Sequence, residues 1–150
     1  MQNKKTKPVK LWALASFLCA AVIFYSSSVP GEESGAASMS IVYRLQDFIA
    51  LNPAILHFIV RKAAHFLVFL VLSFCLTNTF RYIWANKKKV ILISFGIASV
   101  YGILDEFHQY FVPGRVFAVT DMVINAAGAL TGTLIAYFIF MRRKSSNMTK

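Results

Sequence analysis

The 150-residue chain is predicted to be an all-α, polytopic membrane protein with four transmembrane helices and an outer amphipathic segment between the first and the second, all in one domain over residues 1–150. Three observations predict this. Hydrophobic residues make up 57% of the chain, they gather into long uncharged runs, and the cations fall between those runs in alternation.

The first run extends from Val9 to Val29, and past Lys10 it holds 19 residues without a charge, enough to cross a bilayer. Lysines before it and Ser26, Ser27 and Ser28 at its end imitate a cleaved secretory signal. The apolar core of such a signal is only about 7 to 15 residues, so an uncleaved helix is expected. Pro30 and Gly31 stop that helix and open a connection to about Pro53, rich in small residues through Gly35, Ala36, Ala37 and Ser38. Within it Ile41, Leu45, Phe48 and Ile49 recur at helical spacing, which predicts a short amphipathic helix on the outer surface, acting as a lid or as a tether. Ala63 to Phe80 gives 18 residues whose only ionisable group is His65. Val90 to Leu104 has 15, about 22 Å of a hydrocarbon core roughly 30 Å thick. The next turn, with Asp105, Glu106 and Gln109, therefore belongs at the membrane edge. A fourth span ends at Met141 and carries Asp121 and Asn125 near its start. The expected spans are 9–29, 63–80, 90–106 and 117–141.

Cations set the orientation, because loops rich in Lys and Arg stay on the cytoplasmic side. Lys4, Lys5, Lys7 and Lys10 precede the first span; Arg81, Lys87, Lys88 and Lys89 join the second to the third; Arg142, Arg143, Lys144 and Lys150 close the chain. Both termini are then cytoplasmic, and the protein is a multi-pass protein of the cell membrane. The remaining cations, Arg44, Arg61, Lys62 and Arg115, share the outer side with all six acids. The net charge of +10 is thus a topology signal. It does not mark a nucleic-acid partner, since the cations form short juxtamembrane clusters with no binding module beside them. Cys19 and Cys75 fall inside apolar runs without metal spacing or a partner His, which points to packing. No residue pattern asks for a metal or another cofactor.

Helical geometry brings the polar residues together. Asp121, Asn125, Gly128 and Gly132 lie within roughly 60° of one another on a helical wheel. The two glycines form a small-xxx-small pair that lets a helix approach closely, either within the chain or between copies in a homo-oligomer. Lys62, His65, Phe69 and Ser73 share one side of the second span, with Arg61 a turn before His65. Asp105, Glu106 and Gln109 can all point inward from the third, while His108 points elsewhere. Pro113 and Gly114 make a turn that folds Arg115 back, where a bidentate pair with Asp105, Glu106 or Asp121 is expected.

The ordered set Arg61-Lys62-Ala63-Ala64-His65-Phe66, Asp105-Glu106-Phe107-His108-Gln109, Pro113-Gly114-Arg115, Asp121 and Asn125-Ala126-Ala127-Gly128, together with Ser26-Ser27-Ser28 and Pro30, resembles the VanZ-like membrane protein family. The chain departs from that pattern at Val68 and Phe69, where many relatives carry a tyrosine, often after an acidic residue. The resemblance implies a small bacterial inner-membrane protein, in a family named after a member linked to low-level resistance to teicoplanin and similar cell-surface antibiotics. A butyryl-transferring activity finds no support in the residues: there is no soluble domain for coenzyme A, no phosphate-binding glycine loop and no nucleophile elbow.

Three readings of the cluster follow. In the first, Lys62, His65, Asp105, Glu106, Gln109, Arg115, Asp121 and Asn125, with Arg61 adding charge, bind the headgroup of an envelope lipid, a wall precursor or a lipoglycopeptide. In the second, His65 or Glu106 is the general acid or base of a hydrolase or transferase acting on a lipid-linked group. In the third, the network only fixes the helices, and membrane lipids or a partner protein define the function.

Overall fold

Helix boundaries follow local chemistry. In the computed structural model, which describes residues 3–141 with side chains from Pro8 onward, the first helix, α1 (Asn3–Ser28), ends before Pro30. Pro30 then caps α2 (Gly31–Gln46), whose first turn carries Glu32 and Glu33, anions at the positive end of the helix dipole. Asn52 accepts a hydrogen bond from the Ala54 N–H at 2.9 Å and Pro53 occupies the first turn, which starts α3 (Pro53–Ile83). Trp84 is extended, and Asn86 accepts from the Lys89 N–H at 3.1 Å to start α4 (Lys87–Tyr110). Helix α5 (Val119–Ala136) follows and passes into a π-helical turn, Tyr137–Met141.

Four helical stretches are long and apolar enough to cross a membrane: Pro8–Ser28, Pro53–Ile83, Lys87–Tyr110 and Val119–Met141. The chain is a multi-pass, all-α membrane protein, as the sequence predicts. Three boundaries of the expected elements move. The amphipathic helix starts at Gly31 instead of Ile41, because Gly35-Ala36-Ala37-Ser38 continues it and does not form a loop, and it ends at Gln46, before Phe48 and Ile49, whose N–H groups both turn back to the Leu45 carbonyl. The second crossing helix starts at Pro53 instead of Ala63, because Arg61 and Lys62 mark a membrane boundary within a helix and not the end of one. At 1.5 Å per residue its 31 residues reach about 46 Å, well beyond the hydrocarbon. The side chains of Lys4, Lys5 and Lys7, and all of Arg142, Arg143, Lys144 and Lys150, lie outside the described residues.

The interior is made of small and polar residues while large apolar side chains face outward. Ser73, Thr77, Asn78, Ser94, Asn125 and Thr133 are fully buried; Phe17, Leu92 and Val123 are exposed. Lipid tails are as apolar as leucine, so close backbone approach and interhelical hydrogen bonds hold such helices together. Helix α5 lies on α3 with Gly128 against the Phe66 carbonyl and Gly132 against the Leu70 carbonyl and Ser73 Oγ, so that a Cβ at either glycine would overlap backbone. This glycine stripe is occupied within the chain. Tyr101 donates to the Ala20 carbonyl at 2.8 Å and ties α4 to α1. A small apolar core of Ile23, Phe69, Leu72, Ala98 and Ala129 closes the middle. Phe69, one of the departures from the family pattern, is a core residue with no exposure.

Candidate functional site

The polar residues predicted to converge do so at one end of the bundle, where the end of α1, the start of α2, one flank of α3, the end of α4 and the start of α5 meet. They form two walls of opposite character.

The acidic wall is buried. Asp105, Glu106 and Gln109 are 5%, 0% and 3% exposed on the last turns of α4. Gln109 Nε2 donates to Asp105 Oδ2 at 3.0 Å and lies 3.3 Å from Ser27 Oγ and 3.5 Å from Glu106 Oε1. Glu106 Oε2 accepts the Ala118 N–H at 3.2 Å, at the N-terminus of α5, where free N–H groups and the helix dipole favour an anion. A carboxylate left alone at this depth would be costly, and the helix start offsets part of that cost. His65 Nδ1 is 3.2 Å from Asn125 Oδ1 and 3.7 Å from Glu106 Oε1. As oriented, the Asn125 oxygen accepts the Nδ1 proton and leaves the lone pair of a neutral imidazole on Nε2. Asn125 Nδ2 is buried without a partner among the described residues.

One donor atom each from His65, Asp105 and Glu106 lies within 4.8 Å of the others, a separation that could surround a cation. In this arrangement Gln109 and Ala118 already donate into the carboxylates and Asn125 engages His65 Nδ1. Metal binding would have to displace those bonds.

The basic wall differs from the sequence expectation. Arg115 pairs with none of Asp105, Glu106 and Asp121. Its Nε donates to the Val29 carbonyl at 3.0 Å and its Nη2 to the Ser26 carbonyl at 2.7 Å. These belong to the C-terminal end of α1, whose last carbonyls have no partner within the helix and carry the negative end of its dipole. A guanidinium satisfies them as a carboxylate would satisfy it, which is why the expected pair is absent. The turn that delivers Arg115 is fixed by backbone contact: Gly114 has φ +72°, and the Gly31 N–H donates to the Pro113 carbonyl at 2.9 Å. Burial, and then the like charge of Arg61, lower the Arg115 guanidinium from its ordinary value, yet a guanidinium starts so high that it stays charged. The acid–base pair that does form is Lys62–Asp121, with Thr120 Oγ1 3.4 Å from the same ammonium and the Phe58 ring 5.1 Å from it. Arg61 is half-buried and makes no hydrogen bond or ion pair with any described residue.

Between the walls lies a cavity of about 190 Å³ whose polar lining includes Ser27, Arg61, His65, Asp105, Gln109 and Arg115. The predicted set therefore divides. His65, Asp105, Gln109 and Arg115 face the cavity; Lys62, Glu106, Asp121 and Asn125 lie behind it and hold its walls. His108 points away, as expected, bonded to Ser28 Oγ at 3.0 Å and packed against Phe24. Ser26, Ser27 and Ser34 line the cavity but were not foreseen as site residues; their place at the end of one helix and the start of the next was the available signal. The Ala118 N–H had none, since a backbone donor leaves no mark in side-chain pattern.

The family described as VanZ/LLP1 has a sequence model that matches residues 12–141. No curated protein and no solved structure matches the chain. The matched stretch contains both walls, the turn that joins them and nearly all of the four crossing helices, so the chain belongs to the VanZ/LLP1 family.

Proposed function

We propose that the cavity binds the anionic headgroup of an amphipathic envelope component: a lipid, a wall precursor or a lipoglycopeptide-type molecule. One observation carries this reading: Arg61 and Arg115 line the same cavity, and among the described residues neither is paired with a carboxylate, Asp105 on that lining being bonded to Gln109 instead. Two like charges held together at a membrane boundary are unfavourable unless an anion joins them, and the planar fork of a guanidinium suits an oxyanion. Lys10, Arg81, Lys87, Lys88 and Lys89 belong to the opposite end of the bundle. By the positive-inside rule the cavity then opens to the outer face of the cell membrane, with both termini cytoplasmic. There it would meet envelope lipids and surface-acting antibiotics, and capture of such molecules is a route to low-level teicoplanin resistance.

A catalytic reading keeps one specific support, the close approach of His65 to Asp105 and Glu106 beside the cavity. In it His65 Nε2 is a general base and the arginines stabilise developing negative charge. It requires turnover of a lipid-linked substrate, which binding does not.

The test uses Arg61→Gln, because Arg61 bonds to none of the described residues and its loss should leave the fold intact. Anionic phospholipid retained by the purified protein, read by native mass spectrometry, should fall about tenfold, as for loss of a charge-assisted hydrogen bond. Teicoplanin susceptibility of a bacterium expressing His65→Ala, Arg61→Gln or Arg115→Lys at equal abundance should rise relative to the parent. Unchanged lipid retention would sink the headgroup reading, and equal protection by all variants would leave the cluster a scaffold. Release of a headgroup by the parent but not by His65→Ala would establish catalysis.

A further inference from the structure

Below its polar lining the cavity shares an apolar wall with a second one. Its floor is formed in part by Val22, Ile23 and Val68, and these same three side chains line a second cavity of about 340 Å³. That second space runs between α1 and α3 and is otherwise bounded by Leu18, Cys19, Leu67 and Val71, with no charged side chain. Its walls are open to the lipid: Leu18, Val22 and Leu67 are each more than half exposed, and Val71 is 45% exposed. From Ser26 in the polar space to Leu18 at the far end, α1 descends about 12 Å along its axis.

We infer that the two spaces form one seat for a single phosphate-bearing lipid, its headgroup between Arg61 and Arg115 and one of its acyl chains lying in the α1–α3 groove. The inference rests on the headgroup reading above and adds to it that the ligand is a membrane lipid approaching sideways, not a soluble anion. Charge and the shared wall argue for it together. A soluble anion would use the guanidiniums but leave the apolar floor unmatched. A neutral lipid would use the groove but leave two guanidiniums facing one lining carboxylate, Asp105, which pairs with neither.

The energetics indicate what to measure. A chain that moves from the bilayer into an apolar groove gains little, since both surroundings are hydrocarbon. Affinity therefore comes from the headgroup, while the groove fixes where the chain lies. Chain position is the informative readout.

The full-length protein would be placed in phosphatidylcholine vesicles containing a minor fraction of phosphatidate with a photoactivatable diazirine midway along one acyl chain. Diacylglycerol with the same labelled chain is the uncharged control. After illumination, labelled residues are located by peptide mass spectrometry. The expected result is label concentrated on Leu18, Val22, Leu67 and Val71 relative to Leu92 and Val123, which face lipid elsewhere, and about tenfold less of it from diacylglycerol or in Arg61→Gln, matching the loss of a charge-assisted contact. Val68→Trp, which fills the junction of the two spaces, should drive the label off Leu18 and Val22. Val68→Ala guards against misfolding of the larger variant and should keep the label in place.

Phosphatidate label spread evenly over Leu92 and Val123, with total yield still dependent on Arg61, would overturn the groove but leave the headgroup reading standing. Equal groove labelling from diacylglycerol would overturn the seat as a site for an anionic lipid. Yield that is the same for both lipids and unaffected by Arg61→Gln, with no enrichment in the groove, would overturn both.

Discussion

Where α3 turns into α4, Arg81 lies 4.4 Å from the centres of both the Tyr82 and Phe140 rings and donates to the Tyr82 hydroxyl at 2.8 Å, while Lys89 lies 4.8 Å from the centre of Trp84. At the other end of the bundle Arg61 is engaged by no ring, carbonyl or carboxylate among the described residues. Both arginines sit on α3, near its two ends, and both are held close to hydrocarbon. The difference is one of use. Aromatic faces beside the α3–α4 turn absorb the positive charge, as rings at a membrane interface commonly do. In the cavity the charge is held open. Net charge and hydropathy treat the two arginines alike, and only their surroundings distinguish a cation packed against rings from one that faces a cavity.

Substitutions can break or sharpen this contrast. The largest effect is expected at Lys62, where a cation of the cavity end is consumed by structure. Lys62→Met strands Asp121 within the bundle and should destabilise the protein in detergent by roughly 2 to 3 kcal/mol, toward the low side for a broken buried pair because both partners retain some exposure. Asp121→Asn in the same chain should recover much of the loss; thermal unfolding monitored by size-exclusion chromatography decides it, and additive losses would count against the pair. Gly31→Ala comes next, since its Cβ would overlap the Gly114 carbonyl and force the α4–α5 turn to move, at a cost of about 1 to 3 kcal/mol in the same assay. Arg81→Gln should cost about 1 kcal/mol by losing its ring contacts and leave anionic-lipid retention unchanged. Arg61→Gln should do the reverse, shifting stability by about 0.5 kcal/mol or less while lipid retention falls. If Arg81→Gln and Arg61→Gln behave alike in both assays, the contrast between the two ends fails.

Much of this was legible in the sequence, for reasons that differ by residue. Uncharged runs mark crossing helices because each must bury its backbone in hydrocarbon, and the stripe of Asp121, Asn125, Gly128 and Gly132 could be read because helical period fixes which residues share a face. Asp105, Glu106 and Gln109 were placed inward by the same argument, and the structure buries all three. Arg115 was not legible. Its three nearby acids suggested an ion pair, but the end of α1 presents carbonyls as good as a carboxylate, and backbone acceptors carry no residue identity. The start of α3 was hidden for a related reason: Arg61-Lys62 signals the edge of the membrane, whereas a helix stops only where capping and dihedral preference stop it. Glu106 was expected to point inward and is fully buried, while its partner, the Ala118 N–H, could come only from coordinates.

The Gly31 N–H bond to the Pro113 carbonyl also bears on the order of assembly. These two groups are separated by most of the chain, and α3 and α4 lie between them. A nascent chain emerges from its N-terminus, so α1 and the start of α2 reach the bilayer with no partner for this bond. The α2 segment can take its final seat only after α4 and the turn behind it have been inserted. The same late event brings Arg115 to the end of α1, so the polar cavity is completed only after α4 and the turn that follows it are in place.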